Sequence, residues 1–230
     1  MAKAVNIMQL DPEVPAGVFA ELLGEWQVPY RIVRVDCGET LPDTADAVIV
    51  LGGAMGVHDE DKFPFLRTLK TYMRTMLDQG TPLFGICLGG QLLSDLAGGN
   101  VSSNCRGEKG LVAVELTADG AADQLFAGLS GPLHIYQWHN DSFTIPPAAR
   151  HLAGSAVCPG QAFRLGMAWG VQFHPEVDIE IVRRWSKDVP ERTALVADFS
   201  AAEPEHRRLA RLLLGNFLTA AGVRFRTYQG

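Results

Sequence analysis

Cys87 is the residue around which covalent chemistry could be organised. It lies in Pro82-Leu-Phe-Gly-Ile-Cys-Leu-Gly-Gly-Gln-Leu-Leu93, where an apolar run meets a glycine-rich turn and then a helical pattern. With Gly85 and Gly89 on either side, this is a cysteine version of the G-x-S-x-G elbow. In that motif small neighbours let the chain turn sharply and hold the central side chain at the C-terminal edge of a sheet. The peptide dipoles at a helix start also favour an anion, which suits a thiolate nucleophile. The main-chain N–H of Leu88 then becomes a candidate donor to an oxyanion in the same pocket. A buried thiol in a tight glycine turn is the plainer alternative, and the motif alone leaves it open.

A cysteine nucleophile needs a base that takes the thiol proton and later protonates a leaving amine, and the base needs an orienting acceptor. The segment Gly166-Met-Ala-Trp-Gly-Val-Gln-Phe-His-Pro-Glu-Val177 offers both. Pro175 biases His174 toward extended backbone, and residues two apart on an extended chain share a face, so Glu176 can hold the His174 ring. In a chain without the Cys87 elbow, a strand-end histidine beside a solvent-facing glutamate would be the better reading. With it, the two motifs together are far more specific than either one. A third segment, Leu51-Gly-Gly-Ala-Met-Gly-Val57, follows an apolar run, and its glycines permit close approach of main chain to a ligand. The Gly53 N–H is the candidate second oxyanion donor, although an ordinary strand-to-helix turn has the same composition. The segment is not a phosphate loop, because it lacks Gly-Lys-Ser/Thr and the G-x-G-x-x-G spacing.

Elements that could position these residues are readable from periodicity. Residues 3–10, 30–35, 45–51 and 82–86 read as strands, and 14–26, 61–79 and 91–97 as helices, an alternation that points to βαβ units and a parallel sheet. The run at 45–51 alternates too little for a half-exposed strand, which places it centrally. Shorter alternating runs at 111–116, 134–138 and 167–173 predict a mixed or antiparallel region in the second half. The expected architecture is α/β: a doubly wound, mostly parallel central sheet flanked by helices, with a smaller mixed or antiparallel region later in the chain. A last helix is expected after Glu203-Pro204-Glu205, with Leu209, Leu212, Leu213 and Phe217 as its apolar stripe and Arg207, Arg208 and Arg211 on a solvated face. No linker divides the chain, so residues 1–230 are expected to form one domain.

Composition narrows the function classes. The 230 residues are 47% hydrophobic and carry 20 Lys plus Arg against 26 Asp plus Glu, a net charge of −6 with no basic run. That excludes disorder and argues against a protein that grips a phosphate backbone. Asn6, Gln9 and Asp11 interrupt the apolar stretch a secretory signal requires, and no 18 apolar residues run together, so a cytoplasmic location is expected. Cys37, Cys87, Cys105 and Cys158 form no C-x-x-C pair, which speaks against a zinc site or a disulfide framework. Scattered thiols of this kind are expected to be buried as small hydrophobes.

The segments LGGAMGV, GICLGGQLL and GVQFHPEV, in this order and at these separations, resemble the class I glutamine amidotransferases over nearly the whole chain. Stand-alone members similar to the glutaminase domain of GMP synthase share the acidic stretch His58-Asp-Glu-Asp61 followed by a long helix leading into the cysteine strand. The resemblance implies a site at the C-terminal edge of the sheet, with Cys87 as nucleophile, His174 as general acid/base, Glu176 as its orienter, and the N–H groups of Gly53 and Leu88 as oxyanion donors. It implies that Gln91 faces the substrate and that the turn holding His139, Asn140 and Asp141 contacts the α-amino and α-carboxylate ends of glutamine. An ordinary strand-end turn remains an alternative there. Asn140 stands where the family usually has glycine, Ala54 where many members have proline, and Lys109 where a hydrophobic residue is common. These departures bear on substrate shape more than on the reaction.

The implied reaction is hydrolysis of the glutamine side-chain amide through a γ-glutamyl thioester, with no metal and no organic cofactor. About fifty residues follow Val177, too few for a synthase domain, so the ammonia acceptor is expected on a separate chain. Two alternatives stand beside this: a free-standing γ-glutamyl peptidase or hydrolase that needs no partner, and a non-enzymatic binding or regulatory module on the same fold. The partners expected are a small-molecule substrate and a separate synthase subunit, with neither nucleic acid nor membrane.

Overall fold

The structure, a computed structural model, describes residues 3–226. Its elements in chain order are β1 (Val5–Gln9), α1 (Gly17–Glu25), β2 (Tyr30–Arg34), β3 (Ala47–Val50), α2 (Phe65–Asp78), β4 (Leu83–Ile86), α3 (Leu88–Leu96) and β5 (Val101–Ser102). There follow β6 (Glu108–Leu116), α4 (Ala118–Ala122), β7 (Leu133–His139), β8 (Ser142–Phe143), β9 (Arg150–Gly154), β10 (Ala162–Leu165), β11 (Ala168–Val171), α5 (Ile179–Trp185) and α6 (Arg192–Ala220).

Nine strands form one sheet in the order β2-β1-β3-β4-β11-β10-β9-β6-β7, parallel from β2 through β11 and antiparallel from β11 through β7. The antiparallel strands extend the parallel sheet, and β5 and β8 pair separately. Side chains alternate between two apolar layers as the strand period of two requires. Ile7, Ile49, Phe84 and Ile86 pack with Phe19 and Leu22 of α1, Trp26 just after it, and Leu213 and Phe217 of α6, while Met8, Val48, Val50 and Leu83 pack with Leu69 and Met73 of α2 and Leu92 of α3. β3 is buried on both faces, as its unbroken apolar run demands. Along α2 the residues Leu66, Leu69, Tyr72, Met73 and Met76 are buried at spacings of three and four, the stripe that periodicity anticipates. No helix among the described residues is long and apolar enough to cross a membrane.

Three expectations need correction. The last helix starts at Arg192, well before Pro204, which lies inside it. A proline there removes the N–H that would bond the Ser200 carbonyl, but Ser200 is exposed and water can take its place. Arg207 and Arg211 are not simply solvated: Arg207 pairs with Glu21 at 2.6 Å and Glu25 at 2.8 Å, and Arg211 with Glu25 at 2.5 Å, tying α6 to α1. The four cysteines are all free, yet only Cys87 and Cys158 are buried, with Cys37 exposed on the turn after β2.

Candidate active site

β4 ends at Ile86 and α3 begins at Leu88, so Cys87 alone makes the turn from strand to helix. It does so at φ 50°, ψ −109°, a conformation that is costly for a residue with a Cβ and that persists only when the surroundings fix it. They do: the Cys87 N–H donates to the Val171 carbonyl at 2.8 Å, and the Cys87 carbonyl accepts from the Gln91 N–H at 2.8 Å. Glycine is required next to it, because a Cβ at Gly89 would stand 2.2 Å from the Val50 carbonyl oxygen. α3 can therefore start against the end of β3 only without a side chain at that point.

His174 arrives from the neighbouring strand. β11 pairs in parallel with β4, Val171 opposite Ile86, and three residues later the His174 N–H donates to the Tyr136 carbonyl of β7 at 2.8 Å. The ring is buried, and its Nδ1 donates to Glu176 Oε1 at 2.7 Å. Glu176 is itself fully buried, and its backbone carbonyl accepts from the Val18 N–H at the start of α1 at 2.8 Å. Burial works to lower the His174 pKa, but the Glu176 carboxylate and the Cys87 sulfur outweigh it and push the imidazole up to about 10. The arrangement therefore favours an imidazolium held against the Glu176 carboxylate. Cys158 behaves oppositely: burial, with Glu108 nearby, pushes its thiol up to about 11, which leaves it inert.

Gly52, in the loop after β3, lies against both Cys87 and His174. A Cβ there would lie 3.0 Å from His174 Cε1 and 3.4 Å from the Cys87 Cβ. Asp11 staples this loop, one carboxylate oxygen accepting from the Ala54 N–H at 3.1 Å and the other from the Glu13 N–H at 2.9 Å. Gly53 packs against the Leu88 side chain, and the N–H groups of Gly53 and Leu88 have no hydrogen-bond partner among the described residues. At Leu88 this follows from its place in the first turn of a helix, whose N–H groups have no intrahelical acceptor.

A cleft of about 320 Å³ joins these parts. Cys87, His174, Gly53, Gln91, His139, Asn140 and Asp141 all line it, so seven of the nine residues singled out from sequence meet on one surface. The other two are Glu176, behind the His174 ring, and Leu88, next to Cys87 in the chain. Trp185 closes the cleft beside His174, edge-on at 4.8 Å between ring centres, and its indole N–H donates to the Glu13 carbonyl at 2.7 Å. Lys109 is the one lysine or arginine among the lining residues, its Nζ 5.2 Å above the Trp138 ring.

Residues 18–182 match the family described as glutamine amidotransferase class-I. The chain belongs to that family. It is 32% identical over 164 residues to a glutamine-hydrolysing GMP synthase of Vibrio atlanticus, a match covering 70% of this chain and 28% of that protein. It is also 31% identical over 156 residues to the glutamine amidotransferase-like protein YfeJ of Salmonella typhimurium, covering 65% of each. This class I amidotransferase thus spans less than two thirds of the curated relatives it matches. Among solved structures, a glutamine amidotransferase from Thermotoga maritima superposes with a TM-score of 0.87 at 27% identity, over 95% of this chain and 99% of that one.

Two residues of this amidotransferase site escape a reading of motifs. Gln172 shares a face with His174 by the two-residue strand period, and that was the available signal; its Nε2 lies 3.6 Å from the Cys87 Sγ. His206 of α6 is buried behind the His174–Pro175 backbone, with neither ring nitrogen hydrogen-bonded among the described residues. Only the tertiary packing of α6 brings it there.

Proposed function

We propose that the chain, residues 1–230 acting as one domain, hydrolyses the side-chain amide of glutamine with Cys87 as nucleophile, His174 as general acid/base and Glu176 as the residue that orients His174. The observation that carries this reading is the meeting of Cys87 and His174 in one cleft, with the His174 ring fixed by a fully buried carboxylate at 2.7 Å. The Cys87 thiolate attacks the γ-carbonyl carbon, and the C=O electron pair moves onto oxygen. The N–H groups of Gly53 and Leu88 receive that oxyanion; losing one such donor typically costs about 10²–10³ in rate. Collapse breaks the C–N bond as His174 protonates the leaving nitrogen, leaving a γ-glutamyl thioester. Water then attacks the thioester, gives its proton to His174 and releases glutamate. Nothing in these steps calls for a metal or an organic cofactor.

Gln91, His139, Asn140 and Asp141 form the part of the cleft suited to the α-amino and α-carboxylate ends of the substrate. Lys109 adds a cation that complements a substrate carboxylate. Ammonia passes to an acceptor on a separate chain in the cytoplasm. A second reading, a γ-glutamyl hydrolase, is favoured by one feature: half-buried Trp138 and Trp185 line the cleft at His174 and offer apolar surface to a leaving group larger than ammonia. The test compares ammonia release from glutamine with amine release from γ-glutamyl amides, using the parent chain and Cys87→Ala. Turnover in the parent and none in a folded Cys87→Ala is expected. Substantial turnover in Cys87→Ala rejects the mechanism, and faster turnover of γ-glutamyl peptides than of glutamine replaces the first reading with the second.

A further inference from the structure

Gln172 lies one residue beyond β11 and is completely buried, bridging two parts of the site that are far apart in the chain. Its Nε2 is 3.6 Å from the Cys87 Sγ, and its Oε1 is 3.3 Å from the Gln91 Nε2. Gln91 Nε2 is also 3.3 Å from the main-chain carbonyl of Asp141. The oxygen and nitrogen ends of a side-chain amide have nearly the same shape, so the direction of this relay has to be set by a group with a single role. The Asp141 carbonyl is that group, since it can only accept. Gln91 must therefore present its NH₂, Gln172 must present its oxygen to Gln91, and the NH₂ of Gln172 is left aimed at the sulfur. His139 holds the anchor in place, its Nδ1 donating to the same carbonyl at 2.9 Å.

We propose that Gln172 is a catalytic residue whose amide N–H donates to the Cys87 thiolate, oriented through Gln91 by the turn at residues 139–141. The inference rests on Cys87 being the nucleophile. Hydrogen bonds to an ionised acceptor are roughly twice as strong as neutral ones, so the donor raises the share of sulfur present as thiolate. It acts again in thioester hydrolysis. As the water oxygen bonds to carbon and the C–S bond breaks, the electron pair returns to a sulfur that already has a donor in place. His174, backed by Glu176, faces the sulfur from beyond β11, and Asp11, Glu13, Lys109, His139 and Asp141 line the same cleft. None of these is altered by a substitution at Gln172.

The test is alkylation of Cys87 by iodoacetamide across pH, read peptide by peptide by mass spectrometry because Cys37 is exposed and Cys105 partly so. Gln172→Met keeps the length of the side chain and removes the donor. The expected result is a folded variant whose Cys87 profile moves to higher pH, with alkylation near neutrality slowed about tenfold and glutamine kcat reduced by a similar factor at unchanged KM. Gln91→Met leaves Gln172 in place but frees its amide to rotate, and is expected to move the profile the same way by less. Coincident profiles for the parent and folded Gln172→Met overturn the proposal. Should that variant fail to fold, coincidence of Gln91→Met with the parent overturns it. A parent Cys87 that reacts more slowly than Cys37 at every pH overturns the nucleophile assignment itself, a different result from either.

Discussion

His206 makes the fold acid-sensitive in a calculable way. Burial, helped by the positive charge of His174, pushes its pKa down to about 4, and the backbone carbonyls of His174 and Pro175 face the ring without meeting hydrogen-bond geometry, so they offset little of this. In the unfolded chain the imidazole titrates at its ordinary 6.5. Below that pH the unfolded state takes up a proton that the folded state refuses, so stability falls with acidification from 6.5 until the folded group titrates near 4. Between neutrality and about pH 5 this amounts to about 2 kcal/mol. Carboxylates contribute to acid unfolding as well, so the measurement is a difference. His206→Leu removes the titration and the unpaired N–H together, and urea unfolding of parent and variant is compared at neutrality and at about pH 5. The variant is expected to match or exceed the parent at neutral pH and to lose about 2 kcal/mol less on acidification. Equal losses in the two proteins would refute the claim that a neutral, unpartnered imidazole is buried behind the site.

Glu176→Gln keeps the shape beside His174 and removes the charge, so kcat should fall about 10²–10⁴-fold with little change in KM, as for other triads deprived of the orienting carboxylate; a kcat within threefold of the parent would count against the assigned role. Because His174 is pushed up to about 10, its ion pair stabilises the fold fully below 6.5 and that contribution is lost as pH rises through about 10. Alkaline unfolding curves should show the loss in the parent and a smaller one in Glu176→Gln, where only the Cys87 sulfur still raises the pKa. Gly89→Ala places a Cβ 2.2 Å from the Val50 carbonyl and should destabilise by about 3 kcal/mol or prevent folding, whereas Gly24→Ala in α1 meets nothing within 4 Å and should stabilise by about 0.5–1 kcal/mol, both read by thermal unfolding.

Much of this architecture was legible where local physics dominates. Unbroken apolar runs gave β3 and β4, the spacing of Leu66, Leu69, Met73 and Met76 gave α2, and the glycines around Cys87 gave the turn itself. The boundaries failed where a local signal had two meanings. Pro204 reads equally well as the first residue of a helix and as an interior one, and only the structure, with Phe199 buried and Ser200 exposed upstream of it, distinguishes the two. His206 and the Asp141–Gln91–Gln172 relay depend on side chains from segments 32 to 81 residues apart, a kind of proximity that neither periodicity nor motif spacing encodes. The pairing of Arg207 and Arg211 with α1 belongs to the same class. Helical spacing placed them outside the apolar stripe and could not reveal what stands opposite.

The parallel pairing of β4 with β11 also sets an order of events during synthesis. Cys87 leaves the ribosome 87 residues before His174, a delay of about 4–17 s at ordinary elongation rates. Until β11 docks, the sulfur has neither His174, its proposed base, nor the Val171 carbonyl that fixes its strained backbone. The proposed nucleophile of the nascent chain therefore stands without its surroundings, and the cleft around it comes into existence only when the last strand of the sheet closes the fold.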